Sequence, residues 1–341
     1  DTFADNHLIM IDFLEKDSWK VEVRNWQPEH VQRCESVLSL GNGKFGQRAN
    51  FEEGYGGETL KGNYVAGVYY PDKTRVGWWK NGYPEYFAKV LNSVNWVGLS
   101  FILDGSPLDL AAITPENFYW GVDMKTGILT RNFEIQVGEG KRVKFEFERF
   151  CSMDNDRLGV IRCVITSLSG NVDVLAKSFL DANVTNHDAN WEEIFWDQMN
   201  SNAGKSSCSI ISRTKKTEFL VGASACLSVD FEASWDASSS AGYAEQSVNF
   251  NLAEGKTVFL EKYVGITSSL DVDPSSIETE TLQEAQRAKD SGFDSLRTKH
   301  IKKWESIWST ADIVIEGDLA AQQAIRFNVF HLNQTYTGTD D

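Results

Sequence analysis

Arg142-Val143-Lys144-Phe145-Glu146-Phe147-Glu148 alternates without a break, with Val143, Phe145 and Phe147 on one side and charged residues on the other. A period of two is that of a β-strand with one buried and one wet face. Outward from it run further alternating or apolar segments at 96–103, 128–137, 158–168, 172–180, 218–227 and 257–266. Asp104-Gly105, Gly138-Glu139-Gly140 and Ser169-Gly170-Asn171 supply turns between them. From about residue 19 to residue 267 no helical period intervenes, which predicts two packed antiparallel sheets in an enlarged β-sandwich.

The pattern changes at Asp273-Pro274-Ser275. Ser275 and Glu278 stand at capping-box spacing, and the Glu, Gln, Ala, Arg and Lys residues that follow favour a helix with a polar outer face. A second helical run, 291–309, sets Phe293, Leu296, Ile301, Trp304 and Trp308 on one buried side, so its tryptophans read as core rather than as a sugar platform. A third, 319–336, carries Ala320, Ala324, Ile325, Phe327, Val329, Phe330 and Leu332 almost all round its axis. That distribution predicts packing on most sides, and few partners stand upstream of it. The helix is therefore expected to be exposed, disordered or covered by a second chain, with Phe327 and Phe330 outside the sandwich core.

The chain has 341 residues, 41% of them hydrophobic, which suffices for a sizeable core and more than one domain. Its net charge of −16 disfavours nucleic acid and anionic membranes as partners. No stretch reaches the apolar length of a membrane span, and residues 1–6 carry no basic leader segment, so the expected location is the cytoplasm. Cys34, Cys151, Cys163, Cys208 and Cys226 are odd in number and form no Cys-x-x-Cys pair, which fits a reducing compartment. The five histidines are equally scattered, so no metal site is expected.

Gly41-Asn42-Gly43-Lys44-Phe45-Gly46 interrupts an apolar strand start, and its glycines permit backbone angles that a β-carbon resists. It lacks the Gly-Lys-Ser/Thr ending of a phosphate-cradling nucleotide loop. Two other blocks stand out: Pro71-Asp72-Lys73-Thr74-Arg75-Val76-Gly77-Trp78-Trp79-Lys80-Asn81-Gly82-Tyr83-Pro84-Glu85-Tyr86-Phe87, and Ala324-Ile325-Arg326-Phe327-Asn328-Val329-Phe330-His331-Leu332-Asn333-Gln334-Thr335-Tyr336. Together, in this order, the three blocks resemble glycoside hydrolase family 65, the inverting disaccharide phosphorylases. The likeness covers nearly the whole chain.

The resemblance implies an N-terminal β-supersandwich at 1–270, a helical linker at 271–315, and at 316–341 the first helix of an (α/α)6 barrel that carries the chemistry. It implies an α-linked glucose disaccharide and inorganic phosphate as substrates, no further cofactor, and a homodimer. The segment from Lys73 to Trp79 is typical of the maltose branch, with kojibiose, nigerose and trehalose left open. In the family the general-acid Glu, the Trp-Asp-Thr-Glu block that grips the glucosyl ring and the phosphate-binding residues all come later than position 341. No catalytic residue is therefore carried over, and this chain alone is expected to be inactive.

Two segments are candidates to approach the substrate. Gln334, Thr335, Tyr336 and Thr337 follow the barrel's first helix, where a helical barrel presents binding groups. Trp78, Trp79, Tyr83 and Tyr86 offer flat faces suited to sugar rings, although packing against a barrel or second subunit would select the same residues. Glu52, Glu53, Glu58 and Asp181 are available carboxylates, read as solvated or turn residues. Two other readings stand beside the phosphorylase: a non-catalytic carbohydrate-binding module, and a hydrolase on the same fold.

Overall fold

The computed structural model describes residues 13–74, 82, 84–187 and 193–336. Among them, ten antiparallel strands form one sheet in the spatial order Glu15–Lys16, Lys20–Val23, Glu116–Asp123, Ile128–Val137, Lys141–Cys151, Leu158–Ser169, Thr257–Ser268, Leu220–Val229, Cys208–Thr214 and Trp196–Ala203. Five more form the facing sheet, Ser234–Ser240, Tyr243–Leu252, Val172–Asp181, Leu99–Leu103 and Ser106–Pro107. The alternation at 142–148 is what its register requires: Phe145 pairs with Phe133 on one side and Ile165 on the other. Phe101 of the facing sheet meets Phe145 at a ring-centroid distance of 5.1 Å, so the inward rings of the two sheets share one core. The fold is the enlarged antiparallel sandwich expected.

Two segment starts differ from the sequence reading. At 96–103 the strand begins only at Leu99, because Trp96 is buried ahead of it beside an isolated bridge between Asn95 and Asp181. At 218–227 it begins at Leu220, since Glu218 turns with φ +57°. The β-rich part also contains a helix that alternation could not show, α1 (Val31–Val37), which buries Val31, Cys34 and Glu35.

The outer face of the large sheet is covered by α2 (Ile277–Ser291) and α3 (Phe293–Ala311). A β-carbon on Gly265 would stand 2.2 Å from the Thr281 carbonyl oxygen, so the missing side chain is what lets α2 lie flat on the sheet. Ile128, Phe150, Leu158, Val160 and Tyr263 form a second core with Ala288, Phe293 and Leu296 of these helices. The expected capping box is absent. Asp273 caps the turn before α2 by accepting from the Ser275 N–H at 2.8 Å, while Glu278 accepts instead from Asn200, Asn202 and Ser209.

Trp304 and Trp308 are buried as predicted, but His300 takes the place expected for Ile301 on the buried stripe of α3. Its Nδ1 accepts from the Met153 N–H at 3.1 Å and its Nε2 lies 3.2 Å from the Gly127 carbonyl. Burial pushes its pKa down to about 4, so the ring is neutral and Nε2 carries the proton.

The last helix, α4 (Leu319–Thr335), overturns the expectation made for it. It is an ordered helix packed on one side, and its buried residues are Gln322, Arg326, Phe330 and Gln334, spaced four apart. Three of these four are polar, while Phe327 and Val329 pack partly buried against the main core. Gln322 bonds both ways to the backbone at Ile313 and Ile315, and Arg326 pairs with Asp312 at 2.8 Å, donates to the Ser18 carbonyl and lies 3.7 Å from the Trp19 ring centre. Phe330 is fully buried against Trp304, ring centroids 4.7 Å apart, and so belongs to the main core. Ala320, Ala324 and Leu332 are exposed because nothing else in the described chain reaches them.

Candidate functional site

Gly41-Asn42-Gly43 forms the tight end of a small sheet made of Leu40–Gly41, Phe45–Gln47 and Asn63–Val65. Of its glycines only Gly43, at φ +87°, needs the left-handed region. Gly41 and Gly46 are held small by close approach: their β-carbons would lie 3.3 Å from the Gln334 carbonyl oxygen and 3.2 Å from that of Leu40. Asn42 fixes the turn from both ends. Its Nδ2 donates to the carbonyls of Ser152 and Asp156, each at 3.1 Å, and its Oδ1 accepts from the N–H groups of Lys44 and Phe45.

The end of α4 is seated on this turn. Gly41 N–H donates to Gln334 Oε1, and Gly43 N–H donates to the Gln334 carbonyl at 2.7 Å. Gln334 is only 6% exposed, and its Nε2 has no hydrogen-bond partner among the described residues. Tyr336, one residue past the helix, is exposed.

A groove of about 610 Å³ opens where the turn, the end of α4 and the base of a two-stranded hairpin, Tyr69–Lys73 with Tyr86–Val90, come together. Gln334 and Thr335 line one wall and Tyr69, Ala88 and Val90 another. The structure thus brings Gln334 and Thr335 and the base of the hairpin to one place, while Tyr336 is not among the groove's lining residues. Trp78, Trp79, Tyr83 and Thr337 lie outside the described residues; Tyr86 is exposed on the hairpin.

Lys44 and Arg48 are cations on the groove wall, and none of its described lining residues is Asp or Glu. Lys44 pairs with Asp271 at 3.0 Å, and Arg48 donates to Ser36 Oγ at 2.8 Å. Burial lowers the His331 pKa. The arrangement can orient a polar ligand or chain segment, but its described walls hold no carboxylic acid to protonate a leaving group.

The four carboxylates singled out in the sequence line a different cavity, of about 660 Å³. The solvated reading fails for two of them. Glu52 and Glu53 are buried in an ion-pair cluster: Arg131 Nη2 reaches Glu52 Oε2 at 2.7 Å, Arg131 Nη1 reaches Glu53 Oε1 at 2.7 Å, and Arg149 Nη1 reaches Glu52 Oε1 at 2.9 Å. Burial acts to raise the Glu52 pKa, but Arg149 and Arg131 outweigh it and hold the carboxyl below its usual range. Glu58 is exposed; Asp181 is half-buried, and burial raises its pKa. The signal for the cluster was strand parity. Arg131 stands in phase with Leu129, Phe133 and Ile135, and Arg149 with Phe145 and Phe147, so both guanidinium groups had to enter the core and find anions.

Comparison with known proteins places this architecture. The chain is 36% identical over 333 residues to maltose phosphorylase of Bacillus subtilis, covering 96% of this chain and 43% of that protein. It is 26% identical to kojibiose phosphorylase of Thermoanaerobacter brockii, covering 95% and 42%. A solved structure, a putative kojibiose phosphorylase from human microbiome, superposes with a TM-score of 0.87 at 22% identity, over 96% of this chain and 43% of that one. The chain therefore spans less than half the length of these relatives. The model of the N-terminal domain of glycosyl hydrolase family 65 matches residues 21–307, and the chain belongs to that family.

Proposed function

We propose that this chain is the N-terminal part of an inverting disaccharide phosphorylase that converts maltose and phosphate to β-glucose 1-phosphate and glucose. The carrying observation is the contrast in identity across one span, 36% to a maltose phosphorylase against 26% to a kojibiose phosphorylase. In this reading residues 1–270 are the sandwich, 271–315 the helical linker and 316–341 the start of a catalytic helical barrel. The protein is a cytoplasmic homodimer.

Inverting phosphorolysis needs one carboxylic acid to protonate the glycosidic oxygen while a phosphate oxygen attacks the anomeric carbon from the opposite face. Phosphate stands where an inverting hydrolase holds its activated water, so a second catalytic carboxylate is not required. The proton donor and the phosphate site belong to the remainder of the longer protein. Gln334, Tyr336 and the hairpin carrying Trp78, Trp79 and Tyr83 border the sugar site from this side.

The test is proton NMR of the full-length protein with maltose and phosphate. The β-anomer of glucose 1-phosphate should form first, with kojibiose and trehalose turned over at least tenfold more slowly. Release of glucose without phosphate identifies a hydrolase and overturns the reading. The 341-residue chain alone should form no glucose 1-phosphate. Sugar binding by a full-length protein without turnover of any glucose disaccharide would favour a carbohydrate-binding module.

A further inference from the structure

We infer that Gln334 is a positioning residue, and that the Gly41-Asn42-Gly43 turn is the latch through which it acts. The inference rests on the phosphorylase reading above and adds a role for a glycine motif that this reading leaves unused. Three observations carry it. First, the turn is itself immobilised, because Asn42 spends both ends of its amide on four backbone groups, two of them on the 152–156 loop. Second, the two flanking glycine N–H groups both point at one residue, Gly41 at the Gln334 side chain and Gly43 at the Gln334 carbonyl. Third, Gln334 is the last buried residue of α4, so the bonds sit at the point where the chain leaves the helix beside the groove.

The clasp fixes the direction of departure. A helix end ordinarily leaves its last carbonyls without intrahelical partners and frays. Here the Gln334 carbonyl receives a donor from the sandwich, and a side chain one turn beyond Phe330 receives another. Thr335, which lines the groove, and Tyr336, which follows it, thereby start from a fixed point. Misplacement of a binding segment by about 1 Å costs on the order of a hundredfold in rate, so a latch at this point acts on the reaction without touching the substrate.

The chemistry of the amide makes the test specific. Among the described residues only Oε1 of the Gln334 side chain is used; its Nε2 has no hydrogen-bond partner there. Gln334→Met keeps the length and removes the acceptor, whereas Gln334→Glu keeps the acceptor. In the full-length protein, Gln334→Met should lower kcat for phosphorolysis at least about tenfold with KM for the disaccharide changed less than about threefold. Its unfolding midpoint should move by no more than about 4 °C. Gln334→Glu should restore kcat to within about threefold of wild type.

In the 341-residue chain, hydrogen exchange at the Gly41, Thr335 and Tyr336 amides should quicken at least about tenfold in Gln334→Met, while the Phe145 and Ile165 amides stay protected. Unchanged kcat in Gln334→Met, or a Glu variant as impaired as the Met variant, overturns the positioning role. Unchanged exchange at Gly41 overturns the latch. If wild-type full-length protein phosphorolyses no glucose disaccharide, the phosphorylase reading fails on its own, and the exchange measurement still decides the latch.

Discussion

Arg131 carries its charge inside the sandwich at 2% exposure, stacked over Phe51 at 4.3 Å and Phe147 at 4.6 Å and bonded to two carboxylates. A buried pair broken from one side leaves an uncompensated charge, which costs about 3–5 kcal/mol. Arg131→Met should destabilise the chain by that amount in urea at pH 7. The deficit should shrink toward pH 5, because Glu52, left with Arg149 alone to offset its burial, takes up a proton more readily in the folded state. A deficit independent of pH would mean that lost packing of the guanidinium dominates. Lys262 poses the opposite case. Its Nζ bridges the sheets by donating to the carbonyls of Gly98 and Phe179 at 2.8 and 2.6 Å, yet burial pushes its pKa down to about 7. Between pH 7 and its usual value the unfolded chain holds a proton that the folded chain lacks, so stability rises with pH in that window, by at most about 1.4 kcal/mol per unit. The cysteine thiols, all pushed up by burial, act in reverse above pH 9, where the unfolded chain loses protons that the folded chain keeps. The Lys262 slope should therefore be read between pH 7 and 8.5 by denaturant titration. Lys262→Met should flatten it; equal slopes in both proteins would refute the assignment.

Among the elements, strands were legible and the seating of the last helix was not. Residues 128–137 and 172–181 could be read from parity alone because each strand packs one face on the facing sheet and leaves the other partly wet. Where α2 covers the outer face, as at 158–161, all four positions are buried and parity vanishes, so the apolar run itself was the signal. In α4 an apolar count misled, since three of its four buried residues are two amides and a guanidinium, and their partners are chosen by geometry that no periodicity encodes. The Gly41–Gln334 clasp joins residues 293 positions apart, which puts it beyond any local pattern. The helix nevertheless has one strongly apolar anchor. Phe330→Ala should cost about 3–5 kcal/mol of unfolding free energy, the scale of emptying a packed aromatic site. Leu332→Ser, two residues on and 69% exposed, should change it by less than about 0.5 kcal/mol. Equal losses for the two would mean that α4 is packed on a second side.

Over the whole molecule, two tendencies oppose one another. The net charge of −16 keeps copies apart, while Ile313, Val314, Leu319, Leu332 and Tyr336 leave apolar surface on and around α4 exposed. No described helix is long and apolar enough to cross a membrane. In the phosphorylase proposal the rest of the longer protein covers it. Left bare, it should draw two copies of the 341-residue chain together once their mutual repulsion is screened. The screening length falls from about 30 Å at 0.01 M salt to about 3 Å at 1 M, so sedimentation velocity at tens of micromolar protein should show more dimer as salt rises. Adding a charge on this surface, Leu332→Glu, should abolish the dimer at every salt concentration and leave the unfolding midpoint unchanged. In the longer protein of that proposal the same substitution should instead weaken the packing of whatever covers this surface and lower the unfolding midpoint. Association that falls with salt, or that survives Leu332→Glu, would place the contact elsewhere and assign it to charged groups.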